Sequence, residues 1–164
     1  MWNRFQVRRP GFLALTAIGL VAVTLGCTPG EPAPTAKPAD PDDVPLTEAD
    51  VDIPATYRDA VVRLRQCRDQ IRDAVAARTP GKAHRPLDEL EIVLWKMPNI
   101  ARDDGVPKRH WETVVVSSEE LSELFNQVHS AIDAGREPDF EAVAQPIQDA
   151  LDRLEAVPGP RKEE

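Results

Sequence analysis

The sequence has little of what covalent or metal-centred chemistry requires. Only two cysteines, Cys27 and Cys67, occur in 164 residues. Cys67 is followed by Arg68, Asp69 and Gln70 with no histidine beside it, which excludes covalent haem attachment through Cys-x-x-Cys-His. The three histidines, His84, His110 and His129, are preceded three residues earlier by Gly81, Pro107 and Asn126, so the Glu-x-x-His pair of carboxylate-bridged di-iron bundles is missing. No glycine-rich phosphate loop follows a strand. None of Cys67, Ser117 and Ser118 has a histidine near it in sequence to act as base. Positive charge is scarce, with 20 Lys and Arg against 28 Asp and Glu and a net charge of −8, which argues against nucleic acid and against adhesion to anionic lipid. These absences point away from an enzyme and give no reason to expect a resident cofactor.

The chain begins with Arg4, Arg8 and Arg9, continues through an apolar segment from Phe12 to Leu25, and reaches Gly26 and Cys27. The apolar segment falls short of the roughly 20 residues a membrane helix needs, and the three-part layout is that of a bacterial secretory signal over residues 1 to 26. Gly26 followed by Cys27 resembles the lipobox of bacterial lipoproteins, although Thr24 and Leu25 stand where that motif prefers leucine and a small residue. The resemblance implies an acylated Cys27 as the mature N-terminus and a protein held in the cell envelope, facing the periplasm. Each buried methylene contributes about 0.8 kcal/mol and one chain anchors weakly, so the several chains of such lipoproteins imply a stable membrane tether. Thr28, where some bacteria place an inner-membrane retention aspartate, favours the outer membrane. Loss of the leader with its three arginines takes the charge to −11. It also leaves Cys67 without an intrachain partner, and burial is expected for a lone thiol in an oxidising compartment.

Prolines at 29, 32, 34, 38, 41 and 45, with seven acids against Lys37 over residues 27 to 55, read as an extended, solvated linker. At about 3.1 Å per residue, residues 28 to 53 reach some 80 Å at most. The expected organisation is therefore a signal over 1 to 26, lipidated Cys27 and a disordered linker over 27 to 53, a folded domain over 54 to 157 and a tail over 158 to 164.

Within that domain the apolar residues recur at steps of three and four. The first stripe is Tyr57, Ala60, Val61, Leu64, Cys67, Ile71, Ala74 and Val75, with Asp59/Arg63 and Arg65/Asp69 as i, i+4 pairs on the polar side and a stop at Thr79, Pro80 and Gly81. The second, opened by Pro86, is Leu87, Leu90, Leu94, Met97 and Ala101, with a kink or break expected at Pro98. The third is Trp111, Val114, Ser118, Leu121, Phe125, Val128 and Ile132, capped by Gly135. A competing reading makes Ser117 and Glu120 a capping box after a short strand at 114 to 116, but the unbroken register favours one helix. The fourth is Phe140, Val143, Ile147, Ala150, Leu151, Leu154 and Val157, entered after Pro138 and kinked at Pro146. Four such stripes joined by short turns bury one another as an all-α, antiparallel up-down-up-down four-helix bundle.

This pattern over residues 54 to 157 resembles the cytochrome c-prime and related cytochrome b bundles, and uncharacterised lipoproteins that share the architecture without the cofactor. For noncovalent haem, Met97 with His84, His110 or His129 is the available stock, and Met97 reads better as core filler. His110 and His129 lie 19 residues apart, about 100° around a helix, and so do not share a face. His129, four residues before Asp133 near a helix C-terminus, reads as a structural charge pair. Ile92 and Trp95 fall off the second stripe and Val116 off the third, making them the candidate contact surface for a protein partner or self-association. The sequence thus points to a membrane-tethered, noncatalytic interaction or accessory module. The alternative is a bundle that binds or senses a small ligand, haem or metal.

Overall fold

A computed structural model describes residues 44 to 159. The signal-like segment, Cys27 and the linker through residue 43 lie outside the described residues, as do residues 160 to 164. The described chain is helical, with no strand: α1 spans Tyr57–Ala76, α2 His84–Asp103, α3 Trp111–Asp133 and α4 Phe140–Glu155. No helix among the described residues is long and apolar enough to cross a membrane.

The side-chain pairs fix the topology. Along α1, Tyr57, Arg65 and Arg68 meet Leu154, Asp152 and Gln148 of α4, so the numbers rise on one helix as they fall on the other. His84 lies beside His129 and Glu91 bonds Ser122, which makes α2 and α3 antiparallel in the same way. Arg153 of α4 reaches Ser117 and Glu120 of α3. Sequential helices pack against one another and α4 closes on α1, giving the up-down-up-down bundle. The expected stripes line the core, joined by Val93 and Ile100 of α2.

Local chemistry sets the helix ends. The Thr56 hydroxyl oxygen accepts the Asp59 N–H at 3.1 Å to open α1, and Asp139 caps the Ala142 N–H of α4. α2 begins two residues before Pro86 because a 3₁₀ turn at Pro80–Ala83 feeds directly into it. The Ser117/Glu120 box does not form. Both side chains bind Arg153 instead, and α3 runs through them unbroken. Pro98 and Pro146 likewise break neither α2 nor α4, and both prolines are exposed.

Two expectations need correction. The intrahelical pairs Asp59/Arg63 and Arg65/Asp69 give way to cross-helix contacts. Arg63 binds Glu89 of α2, and Arg65 binds Asp152 and Glu155 of α4, because neighbouring helices offer carboxylates within reach. The end of the expected free linker is also not detached. The Leu46 N–H donates to Asp88 Oδ2 at 2.9 Å, Glu48 pairs with Lys96, and the Tyr57 N–H donates to Asp104 Oδ2 at 2.8 Å, so residues 46 to 57 run as a strap along α2. Asp50 holds a 3₁₀ turn in the strap by accepting from the Thr47 N–H and hydroxyl, and Val51 and Ile53 pack on the core.

α1, α2 and α3 all end in the same double hydrogen bond. In α3 the Gly135 N–H donates to Ile132 and the Arg136 N–H to Ala131; in α2 Gly105 and Val106 do the same, and in α1 Arg78 and Thr79. The motif requires a left-handed residue, and Gly135 at φ 63° and Gly105 at φ 81° meet that need without strain. α1 uses Arg78 at φ 55°, where a β-carbon crowds the following carbonyl. Arg78→Gly is therefore expected to stabilise the domain by about 1 kcal/mol and to raise Tm by several degrees in thermal unfolding, whereas Gly135→Ala should lower it.

Candidate metal centre

The first turn of α2 and the last turn of α3 meet at one end of the bundle, because the two helices are antiparallel and joined by a short connection. His84 opens α2, while His129 and Asp133, one turn apart, close α3. His84 Nε2 lies 3.4 Å from Asp133 Oδ1 and His129 Nε2 lies 3.7 Å from the same oxygen. The imidazole rings are 5.6 Å apart between centroids and inclined at 45°, and the three ligand atoms fall within 4.8 Å of one another. Both histidines are half-buried and the carboxylate is exposed, so the cluster is anchored on its protein side and open to solvent.

These separations exceed the 2.7–3.2 Å of good N–H···O bonds. The 3.4 Å separation is about that between ligand atoms in a tetrahedron whose metal bonds measure 2.0–2.1 Å, and the others, within 4.8 Å, would shorten to reach it. Two imidazoles with one carboxylate suit Zn²⁺ and the neighbouring transition metals better than Ca²⁺ or Mg²⁺, which take oxygen ligands. A groove of about 280 Å³ between α2 and α3, bordered by Asp88, Glu91, Ser122, Asn126 and His129, gives water and small ligands a way in.

The other residues singled out in the sequence are dispersed. Met97 is fully buried in the core and lies 13 residues along α2 from His84, about 20 Å, so the two cannot form an axial pair. His110 precedes α3 at the opposite end of the bundle from His129. Trp95 and Val116 are 68% and 52% exposed, while Ile92 is half-buried. Ile92 shares an i, i+4 row with Asp88 and Lys96, two of the residues that hold the strap. Lys96 is drawn toward Trp95, its ammonium 4.5 Å from the ring centroid. The helix pattern placed His129 and Asp133 one turn apart but assigned them a charge-pair role. It did not bring in His84, which lies on another helix.

Comparison with known protein families, characterised proteins and solved structures finds no match for the chain. The fold is therefore a generic four-helix bundle, and the cytochrome and lipoprotein resemblances rest on the sequence pattern alone.

Cys67 sits on the inner face of α1 at 1% exposure, as expected of a lone thiol. Burial, reinforced by nearby Glu89, pushes its pKa up to about 12. Burial also raises that of Tyr57, whose hydroxyl donates to the Leu154 carbonyl at 2.9 Å. The folded state thus holds the Cys67 proton more tightly than the unfolded chain, where thiols titrate near 8.5. Its contribution to stability is complete below that pH and declines as pH climbs toward 12. Urea unfolding at pH 7 and pH 10 should show stability falling at the higher pH. In Cys67→Ala that fall should shrink by up to about 2 kcal/mol, with the remainder belonging to Tyr57 and other groups.

Proposed function

We propose that the bundle is a metal-binding module that takes one divalent transition-metal ion, Zn²⁺ by ligand type, through His84, His129 and Asp133. The observation that carries this reading is the convergence of two imidazole nitrogens from different helices on one carboxylate oxygen, at 3.4 and 3.7 Å. Three protein ligands leave a coordination position for water or a small ligand, and the groove beside His129 supplies access to it. The ligands tie the start of α2 to the end of α3, so bound metal adds a cross-link where the helices otherwise meet through side chains alone. Such a site suits a carrier or sensor better than a hydrolase, since no buried general base stands beside it.

The second part of the proposal concerns place. The basic, apolar and Gly26-Cys27 order of the N-terminus supports a bacterial envelope location with lipid on Cys27, and the proline-rich residues that follow supply a spacer. A chain expressed in a bacterial host should carry acyl mass on Cys27 in intact-mass spectrometry and partition with membranes, and Cys27→Ser should do neither.

For the metal, calorimetry of the chelator-treated protein with Zn²⁺ should give one site per chain. Bound metal at about 100 times Kd should stabilise the fold by about 2.7 kcal/mol. Protons compete for imidazole ligands, so affinity should weaken in acid. His84→Ala and His129→Ala should each cost at least about tenfold in affinity and remove the four-coordinate visible spectrum of the Co²⁺ form. Unchanged Zn²⁺ binding in the double variant would reject the site.

A further inference from the structure

A second cleft opens at the same end of the bundle, between the turn that follows α1 and the turn that follows α3. It has a volume of about 400 Å³. Val75, Pro80, Ile132 and Pro138 give it apolar walls, and Arg78 and Arg136 stand at its border. Neither arginine makes an ion pair among the described residues, although most other arginines of α1, α2 and α4 do.

Capping does not explain the two cations. Arginines after helix C-termini often serve the last carbonyls, but here backbone N–H groups already satisfy them in both turns. Arg78 also occupies the left-handed position at φ 55° that α2 and α3 give to glycine. Two arginines without ion pairs among the described residues, one of them left-handed, line one apolar-walled cleft, an arrangement that suits an anion. Guanidinium groups bind carboxylates through paired, charge-assisted hydrogen bonds. Glu137, which also lines the cleft, disfavours a second negative charge on the ligand.

We propose that this cleft binds a small organic monocarboxylate, its carboxylate between Arg78 and Arg136 and its apolar body against Val75, Ile132, Pro80 and Pro138. The ligand has one negative end, a short hydrocarbon body, and a neutral or cationic far end. This site is separate from the metal centre and does not depend on it, although Ile132 in the cleft and Asp133 in the metal centre are consecutive in α3.

The test is an NMR titration of the full chain with hexanoate, hexan-1-ol and hexanedioate, run with chelator and repeated with Zn²⁺. Hexanoate should shift the Val75, Arg78, Gly135 and Arg136 amides saturably, with and without metal. Hexan-1-ol should give no saturable shift, and hexanedioate should bind more weakly than hexanoate. Arg78→Gly and Arg136→Gln should each weaken hexanoate by at least about tenfold. Arg78→Gly removes backbone strain, so its loss of binding should accompany a higher Tm, a combination that misfolding cannot produce. The proposal is overturned if hexanoate leaves these amides unmoved, if hexan-1-ol or hexanedioate binds as well as hexanoate, or if Arg78→Gly binds as tightly as the unaltered chain. Loss of Zn²⁺ binding in His84→Ala with hexanoate binding intact separates the two sites.

Discussion

The bundle depends on the seam where α4 returns to α1. The other helix pairs are neighbours in sequence, joined by short connections that make their antiparallel packing the easy outcome. The last seam joins residues 97 apart, so it carries the largest loop-closure cost of these contacts. Its contacts match that demand. The Tyr57 hydroxyl reaches the Leu154 carbonyl inside the core, Arg65 spans Asp152 and Glu155, and Arg68 bonds Gln148. The surface pairs contribute little singly, but each favours one registry of α4 on α1. That registry, passed through α3, also brings the turns after α1 and α3 together at one end.

Both candidate sites lie at that end. The interior of the described residues is filled by aliphatic side chains, Tyr57, Phe125, Phe140 and Met97, and its buried polar side chains are the Tyr57 hydroxyl, Ser117, Ser118 and the Cys67 thiol. At the end, the side chains belong to turns and terminal residues, which are free to carry charge. A carboxylate on the last turn of α3 runs against that helix's own dipole, yet it lies beside the positive first turn of α2.

The helix registers were legible because burial imposes a period of three and four. Tyr57 through Ala74 and Val114 through Ile132 are buried at the positions that period names. Boundaries were less legible where a 3₁₀ turn extends a helix, as at His84, or where apolar residues outside the stripes hold a segment down. Val51 and Ile53 do that for the strap, and a proline-rich, acidic composition hid it. The metal-like cluster was half visible. His129 and Asp133 form an i, i+4 pair on the page, but His84 joins them only through the pairing of α2 with α3, which no spacing within one helix encodes. Arg78 was hidden differently, since a left-handed arginine has no sequence signature.

The strap gives the molecule a direction. Its first fixed point is Leu46 on Asp88, one turn along α2 from His84, so the chain leaves the bundle next to the end that carries the histidines and the two arginines. A pull on the chain before Leu46 would load the Asp88 contact first, then Lys96, and only then the Asp104 contact at the start of α1.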